Sequence, residues 1–252
     1  MNRRIFLASA MAALALAGCH KNSSNGSGPA SAVNDTVTIT QANPPPGGTW
    51  ADVVNETADG VMMGNPKAKV KLIEVASLSC PHCKAFDTEG VPKLIENYVK
   101  PGNVSWEFRT YLIHGPIDMP ANLIVRCNGI GSFFPLVEAM YKDQESFVTK
   151  IEAVPQDKLT QIQNLPTNQV FVQMASLMGL QDWAAARGVP QAKSNQCLSD
   201  QKKIDHQVQV SADVNNQYPD FKGTPSFIIN GTMLDETASW DKLQPQLDAA
   251  LK

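Results

Sequence analysis

The sequence predicts an α/β fold in which strands near both ends of the folded region enclose a long helical block. Three observations carry that prediction. The run Val70–Ala76 is apolar on both faces, as a central strand covered on both sides requires, and it leads into Ser79-Cys80-Pro81-His82-Cys83-Lys84 at the start of a helix. Residues 104–113 are rich in aromatic and β-branched side chains, the composition of a second strand. From about residue 118 to residue 218 the apolar spacing is helical, and strand character returns only at residues 223–234.

Taken in order, the chain begins with Arg3 and Arg4 ahead of an apolar segment, residues 5–17, too short to span a bilayer but of signal-peptide size. Leu16-Ala17-Gly18-Cys19 resembles the lipobox of bacterial lipoproteins, in which cleavage before the cysteine leaves it as the lipid-modified first residue. On that basis residues 1–18 are a lipoprotein-type signal peptide and Cys19 carries the lipid; an ordinary signal peptide containing a cysteine is the alternative. Arg3-Arg4-Ile5-Phe6-Leu7 also resembles the twin-arginine export signal, and the general export route remains open beside it. Residues 19–48 form a flexible tether rich in Ser, Asn and Gly, stiffened at its end by Pro44-Pro45-Pro46. About 25 such residues have an end-to-end distance near 30 Å, enough to hold a globular part clear of a membrane.

Val53-Val54-Asn55 and Val61-Met62-Met63, separated by Asp59-Gly60, suggest a short hairpin. The strand Val70–Ala76 follows, then a helix from Pro81 to about Lys100, kinked at Gly90-Val91-Pro92 because proline lacks the N–H and crowds the preceding turn. In the strand at 104–113, Val104, Trp106 and Phe108 point one way and Ser105, Glu107 and Arg109 the other. Glycines at 129, 131, 179 and 188 divide the helical block; a helix begins near Asn168, another covers residues 183–187, and a last one runs over 198–214. Pro225 opens a strand, Asn230-Gly231 makes a tight hairpin turn, and Ser239 caps a final helix from Trp240 to Leu251 that Pro245 weakens. The domain reading is therefore one compact unit, residues 49–117 and 219–252, interrupted by a helical insertion at 118–218.

Charge limits the partners. Removing residues 1–18 takes away Arg3 and Arg4 and no acid, leaving 19 basic against 24 acidic residues, which argues against nucleic acid or an anionic lipid surface as partner.

Five cysteines are an odd number for an exported protein, and assigning Cys19 to lipid leaves four. A C-x-x-C at a strand-to-helix junction is a redox signature: two intervening residues let both sulfurs sit in the first helical turn, close enough to bridge. There Cys80 lies near unpaired backbone N–H groups and the positive end of the helix dipole, which favours thiolate over thiol. Pro81 gives up only an N–H that had no partner. His82, as imidazolium or N–H donor, would stabilise the same thiolate. Half of a zinc site completed by Cys127 and Cys197 is the competing reading, against which stand the wide spacing and Pro81-His82. Cys127 and Cys197 form a structural disulfide closing a loop of about 70 residues, for which the chain-entropy estimate is about 4 kcal/mol; two separately buried thiols are the alternative. Glu74, in the otherwise apolar strand, would have a raised pKa if buried and would relay the proton of Cys83, with Arg109 or Lys71 as its partner; an edge-exposed glutamate is the alternative. His114 and His206 are ordinary loop and helix-surface residues on this reading, and Phe133, Phe134 and Met140 belong to the core.

Strand, Cys80-Pro81-His82-Cys83 on a helix, second strand, helical insertion, Gly223-Thr224-Pro225 before a hairpin and a C-terminal helix together resemble the DsbA-type branch of the thioredoxin superfamily, over about residues 63–252. The resemblance implies a thioredoxin-like fold with a central mixed sheet flanked by helices. It implies that Cys80 is the nucleophile, Cys83 its buried disulfide partner, and Pro225 a cis-proline beside the pair, preceded by Thr224. It implies further a thiol:disulfide oxidoreductase in the bacterial envelope that needs no cofactor or metal, oxidises the thiols of exported proteins, is reoxidised by a DsbB-like membrane partner, and works as a monomer. Thr224 stands where some DsbA-like oxidases have valine and is shared with isomerase-like and reductase-like relatives, which keeps an isomerase or reductase open beside the oxidase. A metal- or thiol-binding module without turnover is the reading from a different class.

Overall fold

The computed structural model describes residues 44–252. The predicted signal peptide, Cys19 and most of the predicted tether lie outside the described residues.

A 3-10 turn, Trp50–Asp52, leads into the hairpin of β1 (Val54–Glu56) and β2 (Val61–Gly64), closed at Thr57 and Gly60 by a 3.0 Å backbone hydrogen bond. Then come β3 (Val70–Ala76), α1 (Pro81–Glu89), α2 (Val91–Leu94) and β4 (Val104–Thr110). The sheet is completed near the C-terminus by β5 (Ser226–Ile229) and β6 (Thr232–Met233). Its order is β1-β2-β4-β3-β5-β6. The β3–β4 pair is parallel and the other pairings are antiparallel, so the sheet is mixed and β3 lies in its interior.

The β3–β4 crossover differs from the single kinked helix predicted for it. The helix breaks at Gly90, α2 lasts four residues, and Ile95–Val99 winds as a π-helical segment in which Lys100 N donates to Ile95 O at 2.9 Å. Pro92 removes a donor just past the break, so the chain restarts instead of bending. Strand β4 stops at Thr110, three residues before its predicted end, because β3 offers it no partner beyond Ala76: Tyr111 N takes the Ala76 carbonyl at 2.7 Å and Leu112 N turns to Ser211 Oγ. Both faces of β4 are covered. Ser105 and Arg109 are buried on the face expected to be polar, and Arg109 is matched there by Glu107 at 2.7 Å and Asp59 at 3.1 Å.

Between β4 and β5 lie α3 (Gly115–Val125), α4 (Phe133–Lys142), α5 (Gln144–Glu152), α6 (Gln156–Gln163), α7 (Thr167–Met178), α8 (Leu180–Ala185), α9 (Gln191–Leu198) and α10 (Gln201–Gln217). The helix predicted over 198–214 is α10, which starts three residues later and runs to Gln217, because Leu198 is the last residue of α9 and Asp200 caps the new helix by accepting a hydrogen bond from Lys203 N. The helix predicted at 183–187 starts earlier, at Leu180, directly after Gly179 in its left-handed conformation. Most of these helices share an apolar core with the sheet, in which Phe134 packs on Trp106 with centroids 4.8 Å apart and Phe133 and Tyr141 meet Phe108 edge-on, while Val214 of α10 joins Val75 and Ile228 in a second, smaller cluster. Asn230 (φ 49°) and Gly231 (φ 88°) make the two-residue turn of β5–β6, a conformation open to Asn and Gly. Helix α11 (Trp240–Leu251) runs through Pro245, whose missing N–H falls in the second turn.

Candidate active site

Cys80 is the N-cap of α1, with Pro81, His82 and Cys83 at the first three helical positions. A sulfur thus occupies the place of a capping oxygen, facing backbone N–H groups that the helix leaves unpaired. Cys80 is 5% exposed and Cys83 0%. Both are free thiols, so the described state is the dithiol.

The two sulfurs are driven apart in acidity. The Cys80 pKa is brought down to about 5, first by the hydrogen bond from the Cys83 thiol, then by Thr224 and by the backbone N–H groups of Cys83 and His82, against the opposing effect of partial burial. Burial pushes the Cys83 thiol well up, and its hydrogen bond to Cys80 pushes the same way. As a thiol, Cys80 donates to the Thr224 carbonyl at 3.2 Å. The Thr224 hydroxyl is buried without a well-formed hydrogen bond, which leaves its proton to the Cys80 thiolate once that carbonyl contact is lost. The Thr224–Pro225 peptide is cis. The His82 side chain is exposed, and this residue acts on the sulfur through its backbone N–H; the imidazole invoked from the sequence has no such contact.

The loop ahead of Cys80 is held from two directions. From α3, the buried Asp118 carboxylate accepts from Ser77 Oγ (2.8 Å), Ser79 N (3.0 Å) and His114 N (2.7 Å), while Ser79 Oγ lies 2.9 Å from His114 Nδ1. Burial raises the Asp118 pKa, and these hydrogen bonds oppose the rise. From α4 and α5, Tyr141 Oη donates to Ser77 O (3.1 Å), and Gln144 Nε2 donates to both Leu78 O (2.9 Å) and Cys80 O (3.0 Å). His114 is therefore part of the support of the site and not the ordinary loop residue expected from sequence.

Glu74 on β3 is 1% exposed. Desolvation raises its pKa well above the ordinary carboxylate range, the Asp87 charge adds to this, and the Trp106 indole N–H, donating at 3.0 Å, pulls it back. Neither partner proposed for it from sequence is there. Arg109 is occupied by Glu107 and Asp59, and Lys71 Nζ donates to Pro66 O. Cys127 and Cys197 are bonded to each other, joining the end of α3 to α9.

Sequence reasoning missed Asp118, Gln144, Trp106 and Asp87. Asp87 had a signal, since it stands four residues after Cys83 and shares its helix face. Trp106 and Glu74 alternate onto one face of the sheet only once the parallel register of β3 and β4 is known. Asp118 and Gln144 belong to helices whose docking no local pattern specifies.

The profile of a family described as Thioredoxin matches residues 56–249. The crystal structure of a protein-disulfide isomerase from Novosphingobium aromaticivorans is 32% identical, with a TM-score of 0.73, covering 78% of this chain and 100% of that one. Wolbachia pipientis alpha-DsbA1 shares the fold at 22% identity and a TM-score of 0.61, covering 79% and 94%. A putative protein-disulfide oxidoreductase of Rickettsia bellii (strain RML369-C) is 25% identical over 193 residues, 76% of this chain and 64% of its own length. Disulfide bond formation protein D of Bacillus subtilis (strain 168) is 24% identical over 191 residues, 76% and 77% of the two chains. The chain thus spans less than two thirds of the Rickettsia bellii relative's length.

Proposed function

This chain belongs to the thioredoxin family, and from that premise we propose that it is a thiol:disulfide oxidoreductase that introduces disulfides into exported proteins through Cys80 and Cys83. The observation that carries the reading is the opposed acidity of the two thiols: Cys80 near 5 on the helix N-terminus, Cys83 raised beneath it. A substrate thiolate attacks Cys80 of the disulfide form, Cys83 departs and takes a proton, and the substrate's second thiolate attacks its own linked sulfur, expelling Cys80 as a stable thiolate. Each pKa unit below ambient pH favours the reduced form by about 1.4 kcal/mol, or about 30 mV, which makes the disulfide an oxidant.

In this proposal Pro81 and the His82 backbone shape the helix start, Thr224 and Pro225 present the backbone that faces Cys80 and substrate, and Glu74 exchanges the Cys83 proton. Residues 1–18 are removed on export, lipidated Cys19 anchors the chain through a tether ending near residue 48, and the enzyme works as a monomer on the periplasmic side of a membrane. A DsbB-like membrane partner reoxidises it there. The helical insertion at 118–218 supports the Cys80 loop.

An isomerase is the second reading, favoured by Thr224 and by the name of the Novosphingobium aromaticivorans protein. Ultraviolet titration of the thiolate together with equilibration against glutathione tests the oxidase. The expected result is a Cys80 pKa near 5 and a potential more oxidising than that of glutathione; a pKa near the free-thiol value of about 8.5 sinks the mechanism. Faster reshuffling of scrambled ribonuclease than oxidation of the reduced protein selects the isomerase.

A further inference from the structure

Disulfide exchange consumes substrate thiolate, yet an ordinary cysteine with a pKa near about 8.5 is only a few per cent ionised at pH 7. A base beside Cys80 would remove that shortage. The loops that follow β3 and β4 leave the sheet side by side, because the two strands are parallel and Ala76 is paired with Thr110. One loop carries Ser77 and Ser79 and ends at Cys80; the other carries His114, the N-cap residue of α3. They meet where Ser79 Oγ lies 2.9 Å from His114 Nδ1. His114 thus stands against the residue that immediately precedes the nucleophile, and it is exposed.

Hydrogen-bond directions fix which ring nitrogen of His114 is bare. The buried Asp118 carboxylate only accepts, so Ser77 Oγ, 2.8 Å away, directs its single proton there. The 3.2 Å contact between Ser77 Oγ and Ser79 Oγ must then take its proton from Ser79. With that proton committed, Ser79 Oγ accepts from His114, and the ring carries its hydrogen on Nδ1. The reverse tautomer would set oxygen lone pairs against each other. Nε2 is left with a free lone pair, and among the described residues it has no hydrogen-bond partner. The series Asp118, Ser77, Ser79, His114 therefore orients the ring from behind, and its carboxylate end favours the charged imidazolium once Nε2 takes a proton.

We propose that His114 is the general base of the exchange reaction, accepting at Nε2 the thiol proton of the substrate cysteine that attacks Cys80. The inference rests on the disulfide-exchange reading of Cys80 and Cys83. In the first step the substrate proton passes to Nε2, a sulfur–sulfur bond forms to Cys80 Sγ, and the Cys80–Cys83 bond breaks with its electron pair on Cys83. The exposed ring returns its proton to water. In the second step the other substrate thiol gives its proton to Nε2 and attacks its own linked sulfur, so that Cys80 leaves as thiolate. Two electrons have passed from substrate dithiol to enzyme disulfide. Two protons have left the substrate, Cys83 has gained one, and Cys80 remains ionised.

The test mixes oxidised protein with two reductants by stopped flow at pH 7: dithiothreitol, an alkyl thiol mostly protonated there, and reduced selenocysteamine, a selenolate that needs no base. For His114→Asn the dithiothreitol rate is expected to fall at least about tenfold while the selenolate rate stays at the native value. Asparagine keeps an N–H donor near the place of Nδ1, so the Ser79 contact survives and only the base is lost. His114→Gly is expected to lose the same rate and to regain it in proportion to added imidazole. Nitrogen-15 spectra at pH 8, assigned against His114→Asn, should show the His114 ring protonated at Nδ1. Equal slowing of both reductants in His114→Asn, a native dithiothreitol rate in that variant, no recovery with imidazole, or a ring protonated at Nε2 each overturns the base and leaves the oxidoreductase standing. A native disulfide that neither reductant opens overturns both.

Discussion

The chemistry at residue scale turns on what surrounds one sulfur. Cys80 takes the capping position of α1, and the donors that stabilise its thiolate are the Cys83 thiol, Thr224 and two backbone N–H groups. Thr224 is informative because its buried hydroxyl has no other well-formed bond. Thr224→Val replaces that hydroxyl with a methyl of similar volume. A hydrogen bond to a charged group is worth about 1.5 kcal/mol or more, so the Cys80 pKa should rise by about one unit in the thiolate titration, with fold stability unchanged. An unaltered titration would remove Thr224 from the list of donors. C-x-x-C and Thr224-Pro225 were visible in the sequence because each is a short motif at an element boundary. The route by which His82 acts was not, since a sequence does not separate an imidazole from a backbone N–H.

Among the elements, the helices between β4 and β5 grip the loop that presents Cys80. Tyr141 on α4 and Gln144 on α5 satisfy the carbonyls of Ser77, Leu78 and Cys80, and Asp118 on α3 collects donors from Ser77, Ser79 and His114. Gln144 is buried, and removing its amide strands carbonyls away from water. Gln144→Leu is expected to lower unfolding free energy by about 1–3 kcal/mol, seen as a lower urea midpoint with unchanged slope. A midpoint equal to that of the native chain would mean the loop holds itself. Helical periodicity revealed that this block exists and where glycine divides it. It did not reveal the boundary at Asp200, where a capping aspartate interrupts an apolar pattern that continues across it.

For the whole molecule, redox state and stability are linked through protons. Cys80 has its pKa lowered in the folded dithiol, so its stabilisation is complete above the unfolded thiol value of about 9 and is lost as pH falls through about 5. Cys83, raised, stays a thiol over that window and adds nothing there. The reduced protein should therefore be the more stable form at pH 7, by about 2 kcal/mol, with the gap closing towards pH 5. Urea unfolding of both forms at pH 5 and pH 7 checks this; an oxidised form more stable at pH 7 contradicts it. The sequence by itself determined the element types, the redox motif and the family resemblance, because strand and helix periodicity, turn residues and C-x-x-C are local. Only tertiary structure decided that Glu74 is bonded to Trp106 and not to Arg109 or Lys71, and that Asp118 and Gln144 hold the active loop. Those contacts join residues 32 to 66 positions apart. Their formation depends on sheet register and helix docking, which the burial of one shared core selects.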